Sequence, residues 1–247
     1  MDAILLGLFL SATFLGAVVS GVAGFGMGVV FAGVWAHILT PIQTATLIVG
    51  YGLVTQSYGI WKLWHALSWR RLAPFLIGGT VGAPIGALLL TYVDPTYLTP
   101  AVGVLLVLYS IYGLARPEIE PVKVGLTADA GIGVINGLLG GLTGLVGIIV
   151  TIWCQLRGWP KDEQRAVFQP VMVAASALTA VSLSIAGVVT AETIKLYLLG
   201  LPLLLAGLWI GFKLYGKLND ALFRRVLLAL LLVSGLVLSV LHVSDLL

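Results

Sequence analysis

The chain reads as an all-α polytopic membrane protein made of two inverted repeats, each a glycine-broken helical hairpin followed by three transmembrane helices. Three observations lead there. Of its 247 residues 60% are hydrophobic and only 9% charged, with a mean hydropathy of +1.10. A soluble domain is roughly 45–50% apolar and roughly 25% charged. The apolar residues fall into runs of membrane length, and two of these runs are interrupted at matching places by glycine clusters. So few charges cannot cover a water-facing surface, which excludes a soluble globular protein, a nucleic-acid binder and a disordered chain. The sequence pI near 9.1 marks no nucleic-acid patch, because the net charge is +3 and the cations lie in short loops. Cys154 is the single cysteine, so no internal disulfide and no cysteine-based metal cluster is expected.

The run from Asp2 onward has no basic leader and is read as the start of the first membrane segment rather than a removable signal. A span needs about 20 apolar residues. Six segments satisfy this: 42–61, 72–91, 96–114, 166–187, 193–212 and 223–242. Residues 3–39 would form a helix of about 55 Å, far longer than the hydrocarbon core. Both 3–39 and 125–156 carry a glycine cluster in their middle. If each crossed once, the thirteen cations would divide six against seven. If each doubles back as a hairpin, Lys62, Arg70, Arg71, Arg116, Lys123, Arg157, Lys161, Arg165, Lys213, Lys217, Arg224 and Arg225 share one side, and Lys195 stands alone on the other. Twelve against one is the bias expected of cytoplasmic loops. The hairpin topology is therefore adopted, with both termini outside. Arms at about 125–136 and 145–156 would be about 18 Å long, which predicts a re-entrant second hairpin. The first hairpin is either re-entrant or a pair of short spans.

An internal repeat follows. Ser20-Gly21-x-x-Gly24-Phe25-x-x-Gly28 aligns with Asn136-Gly137-x-x-Gly140-x-x-Thr143-Gly144 at an offset of 116, and Gly82 and Gly86 align with Gly207 and Gly211 at 125. Residues 1–114 form the first repeat, 115–124 a cytoplasmic linker and 125–247 the second repeat. An odd number of crossings per half inverts the second copy, and inverted repeats with broken helices are a transporter layout.

The glycine clusters are the candidate binding site. Unwound backbone inside hydrocarbon is tolerated where it is buried in protein or lines a cavity. The helix leaving each cluster turns its free N–H groups and positive dipole end inward. Two such ends would hold an anion without a buried lysine or arginine. The competing reading, small-residue helix packing, is assigned to Gly78, Gly82, Gly86, Gly207 and Gly211. Ser20, Asn136 and Thr143 donate to an oxyanion, satisfy the broken backbone, or do both. Gln56, and Gln169 beside Pro170, either line the path or bridge helices. Arg157, Lys161 and Arg165 orient the loop and meet lipid head groups, or else form a cationic vestibule. His37, His65 and His242 are scattered, so no metal is expected. Asp129 is the one acid placed within a membrane segment, and is either functional or interfacial.

The twin clusters 21–28 and 136–147, the stretch Arg157-Gly158-Trp159-Pro160-Lys161-Asp162-Glu163-Gln164-Arg165, the pattern 201–211 and Phe223-Arg224-Arg225 together resemble the sulfite-exporter TauE/SafE family, also called the toluene sulfonate uptake permease family. The resemblance runs over nearly the whole chain, although Phe25 and Met27 interrupt the first cluster where members carry denser glycine. It implies a multi-pass permease of the bacterial inner membrane that moves small sulfur-containing anions such as sulfite or organosulfonates. No organic cofactor is implied. The partners expected are the anion, membrane lipids, a coupling proton or ion and, as an allowed assembly, a second copy of the chain. A passive anion channel is the alternative function. An intramembrane enzyme is the third reading, and it lacks a nucleophile–base pair.

Overall fold

The computed structural model describes residues 2–35, 37–89, 92, 95–115, 121–143 and 145–243. Among them are ten α-helices: α1 (Ala3–Ala23), α2 (Met27–Trp35), α3 (Pro41–Lys62), α4 (Trp69–Leu89), α5 (Pro95–Ala115), α6 (Leu126–Thr143), α7 (Ile148–Leu156), α8 (Lys161–Ile185), α9 (Ala191–Lys217) and α10 (Asp220–Val243). The chain is a polytopic helical membrane protein. Helices α1, α4, α6, α8, α9 and α10 are long and apolar enough to cross a bilayer. Helices α3 and α5 occupy the other two segments expected from sequence.

Both glycine-broken segments double back. Helix α1 stops where Gly24 takes a φ of 87° and returns its N–H to the Ser20 carbonyl at 2.7 Å. Gly26 follows with φ 91°, again in the left-handed region that a Cβ disfavours. Helix α2 then folds back along α1. Trp35 stacks on Phe9 with ring centroids 5.1 Å apart, and the Phe31 ring lies against Gly16. In the second segment Gly147 turns the chain at φ 88°. Antiparallel contacts then run down the hairpin: Gly147 N–H to Asn136 Oδ1 at 3.0 Å, Trp153 Nε1–H to Asp129 Oδ1 at 2.7 Å, and Val122 N–H to the Leu156 carbonyl at 2.9 Å.

The arms differ from expectation. Helix α6 does not end near residue 136 but runs on to Thr143, making 18 residues and about 27 Å. It passes straight through Gly137, Gly140 and Gly141, because glycine inside this helix serves lateral packing rather than a turn. Helix α7 has 9 residues, about 14 Å, so the shorter arm alone is too short to cross. The first hairpin has the same asymmetry, 21 residues against 9. The two breaks correspond through Gly26 and Gly147, 121 residues apart, rather than through the 116-residue register.

Helix pairing is reciprocal between the halves: α1 packs on α9, α6 on α4, and α5 on α10. The first helix of each half thus lies on the fourth helix of the other. Glycines set the close approach. Positions 78, 82 and 86 face the α6 backbone at Ala130, Val134 and Leu138, while Gly133, Gly137 and Gly141 face Phe75, Gly79 and Ala83 of α4. Gly21 and Gly211 face each other's backbone between α1 and α9. The exchange gives two compact units. Unit 1 is Met1–Trp61 with Val173–Leu218, and unit 2 is Lys62–Met172 with Asn219–Leu247. Unit 1 is centred on the buried rings of Phe9, Phe31, Trp35 and Tyr51, and the Tyr51 hydroxyl donates to the Tyr197 carbonyl at 3.0 Å.

One end of unit 2 gathers the charges. Arg71 pairs with Glu163, and His65 Nε2 lies 3.7 Å from Asp162 Oδ2. Lys161 N–H donates to Asp220 Oδ1 at 2.9 Å, and Arg157 donates to the Val124 carbonyl. Arg71 and Arg157 both lie over the Trp159 ring, at 5.3 and 5.4 Å. The α3–α4 loop, the segment before α6, the α7–α8 loop and the start of α10 therefore share one end. A single crossing by each broken segment would place the α3–α4 loop and the α7–α8 loop at opposite ends. Arg116 lies outside the described residues. Cysteines introduced at 62, 157 and 217 in a Cys154→Ala background should all react with an impermeant reagent from one and the same side of the membrane. Labelling of 157 from the side opposite 62 would restore the single-crossing arrangement.

Candidate functional site

In unit 1 the break is held by side chains of α3. Gln56 is 95% buried, and its Nε2 donates to the Gly24 carbonyl at 2.9 Å, taking up an acceptor that α1 can no longer use. The Thr55 hydroxyl donates to the Gly52 carbonyl at 3.2 Å and approaches the Met27 sulfur at 3.6 Å. Gly52 lets that methionine close in, since a Cβ there would stand 3.3 Å from Met27 Cε and 3.6 Å from Ser176 Oγ. The first turn of α2 forms with Val29 N–H on the Gly26 carbonyl at 3.2 Å. Gly28 sits in that turn, and a Cβ there would meet no atom within 4 Å. Ser20 is buried at the same break, and Phe25 is half-buried within it.

In unit 2 the same task falls to α6. Thr143 donates its hydroxyl to the Leu139 carbonyl at 2.7 Å and accepts from Leu145 N–H at 3.2 Å. Asn136 takes the Gly147 N–H, and the Thr151 hydroxyl returns to the Gly147 carbonyl at 2.8 Å. Gly147 is the N-cap of α7 and supplies no side-chain cap. The next N–H groups of α7 therefore form the positive end of a helix dipole with no side-chain cap hydrogen bond. Met172 of α8 lies directly on Gly147. Each unit thus presents a short helix that starts at a glycine turn within a membrane segment, an arrangement suited to a small anion.

A family model described as sulfite exporter TauE/SafE matches residues 8–238. The chain belongs to the TauE/SafE family. No curated protein and no solved structure matched it. Membership makes it a membrane transporter of the sulfite-exporter type, and the matched region takes in both hairpins.

Within this TauE/SafE chain the residues singled out from sequence separate into groups. Gly24, Phe25, Gly28 and Gln56 come together at the first break, with Ser20 one turn before it. Asn136, Gly140 and Thr143 come together at the second, where a Cβ on Gly140 would meet the Val146 side chain at 2.8 Å. Gly144 lies outside the described residues. Gly21 and Gly137 lie at helix crossings instead, against α9 and α4. Asn136 and Thr143 both hydrogen-bond to the backbone of the break. Gln56 likewise bridges two helices. Helix α8 continues through Pro170 without a break, and Gln169 is buried with no partner for its Oε1. Asp129 is fully buried, holds the Trp153 indole, and lies 3.7 Å from Arg157 Nη2, which ties the two arms of the hairpin.

The residue whose burial the sequence did not show is Arg165. It was read as flanking the loop, yet α8 begins at Lys161 and Arg165 is fully buried in its second turn. A cation in a membrane-protein interior is a functional candidate by default. The signal was available: Arg165, Gln169 and Met172 recur at the spacing of one helix face, and Met172 is the residue that seats on Gly147.

Proposed function

We propose that this TauE/SafE member is a secondary transporter that carries a small sulfur-containing anion, sulfite or an organosulfonate, across the bacterial inner membrane by alternating access. The observation that supports it is the uncapped start of α7 on Gly147, matched in the other half by α2 on Gly26. A helix N-terminus carries roughly +0.5 of an elementary charge, and its effect grows where water is scarce. The reciprocal exchange of α1 and α6 supports reading the halves as inverted repeats, the frame within which transporters rock. The cation-rich end of unit 2 is assigned to the cytoplasm by the positive-inside bias. The sequence carries no phosphate-binding Gly-x-x-x-x-Gly-Lys-Ser/Thr motif, so a proton, ion or substrate gradient is the proposed energy source.

Competition among matched solutes tests this reading. In proteoliposomes, an alkyl sulfonate should inhibit sulfite flux, the corresponding carboxylate less, and a quaternary amine of similar size not at all. Equal inhibition by the amine would reject the dipole-held anion. Flux that saturates and is stimulated from the trans side distinguishes the transporter from a passive channel on the same fold.

A further inference from the structure

The first break contains a polar atom that its backbone repairs do not use. Gln56 is 95% buried, and its Nε2 is committed to the Gly24 carbonyl, which fixes the amide: turned over, two carbonyl oxygens would face each other. The Oε1 of the same amide is buried and accepts no hydrogen bond. A buried acceptor without a donor is costly, so its persistence beside a functional turn calls for a donor that arrives with a ligand. Gln56 belongs to α3, the helix that follows the short arm α2. The other half repeats the feature. Gln169 belongs to α8, the helix that follows the short arm α7, is 99% buried, and also has an Oε1 without a partner.

The charge available to a ligand in unit 1 is small. The lysines of this unit are Lys195, Lys213 and Lys217, all on α9 and all exposed, with Lys213 over the Trp209 ring at 3.6 Å. Within unit 1, what remains at the break is the partial charge of the start of α2. Such a site balances a monoanion far better than a dianion. A proton retained on the ligand solves both problems at once, because it removes one negative charge and gives Oε1 its missing donor.

We infer that the bound anion is itself a hydrogen-bond donor: a monoanion that keeps a proton, such as hydrogen sulfite, or a sulfonate with a hydroxyl two carbons from the sulfur, with Gln56 Oε1 as the acceptor of that proton. The inference rests on the anion-transport reading and deepens it. It also explains why the first break uses an amide where a lysine would give stronger attraction: a lysine has no acceptor for a protonated ligand.

Calorimetric binding to the purified full-length protein tests it with four probes. At one pH, 2-hydroxyethanesulfonate should bind at least tenfold more tightly than methanesulfonate, which has the same charge and no donor. Sulfite should lose affinity about tenfold per pH unit once its second proton leaves, while methanesulfonate stays flat over the same range. Inorganic sulfate, a dianion throughout, should bind more weakly than hydrogen sulfite. A gain by hydroxyethanesulfonate alone identifies the hydroxyl-bearing class, and pH-dependent sulfite binding that Gln56→Met flattens identifies hydrogen sulfite. Gln56→Met should collapse the ratio between the two sulfonates, whereas damage to the turn alone would weaken both equally and overturn the acceptor role. Equal binding of the two sulfonates by the wild-type protein, together with sulfite binding that does not fall with pH, overturns the inference and leaves anion transport standing. Absence of binding by all four anions removes both.

Discussion

Replacing Gly82 with valine is expected to abolish the recovery of folded, monodisperse protein, the largest stability effect of any single substitution considered. A Cβ at this position would fall on the Val134 carbonyl and stand 3.0 Å from Leu138 N, both backbone atoms of α6. Backbone cannot swing aside as a side chain can, so the helices must separate along their whole contact. In a bilayer, apolar side chains gain little by leaving lipid, and helix association depends on van der Waals fit and close approach. Overpacking a well-fitted soluble core costs about 1–3 kcal/mol, and a clash with backbone belongs at or above the top of that range. Gly211→Val should behave alike at the α1–α9 crossing, where the Val18 carbonyl and Gly21 stand in the way. Gly28→Ala is the control, since its new methyl would meet no atom within 4 Å. Yield and melting temperature of detergent-purified variants report the outcome. Near-normal recovery of Gly82→Val would mean that the small residues of α4 do not set the helix separation.

The elements legible in the sequence were those governed by bulk physics. Hydrocarbon thickness dictates segment length, and the lopsided placement of cations dictates that the broken segments double back. Arg71 meeting Glu163 and Arg157 meeting Val124 follow from that folding back. What stayed hidden depended on which job each glycine performs. In 136–147 the glycines at 137 and 141 serve packing against α4, and the one at 147 serves the turn, yet all are the same letter. The pattern match therefore paired Ser20 with Asn136, whereas the turns pair Gly26 with Gly147. Gly24, which opens the first turn, was among the candidate binding residues, whereas Gly26 and Gly147 were not. The burial of Arg165 was hidden for a related reason. Loop and helix start share the run Trp159-Pro160-Lys161, and the proline at 160 precedes the first turn, so the helix opens earlier than the apolar run suggests. Gln56 and Gln169 were legible as buried amides, while the orphaned oxygen on each is a property of packing that spacing does not reveal.

Gly147→Val should weaken anion binding by about ten- to a hundredfold while leaving most of the fold in place. The residue holds φ at +88°, where a β-branched side chain is strained by about 1–3 kcal/mol. The new side chain would also run into Met172, so the turn must either open or displace α8. Opening the turn breaks the bond from Gly147 N–H to Asn136 Oδ1 and re-aims the first N–H groups of α7, the groups proposed to face the anion. If the turn relaxes open, re-forming it on binding costs that strain again, and about 1.4 kcal/mol is tenfold in affinity, which gives the predicted range. The packing of α6 on α4 does not pass through residue 147, since its contacts come from positions 78–86 against 130–141, so membrane insertion and helix content should survive. Gly140→Val is the graded companion. Its Cβ would meet the side chain of Val146 at 2.8 Å rather than backbone, and a side chain can turn away, so a smaller loss is expected. Binding constants for sulfite or a sulfonate, measured beside the melting temperature of each variant, separate the two effects. If Gly147→Val binds as tightly as the unaltered protein, the start of α7 does not touch the ligand, and the second break is a packing device alone.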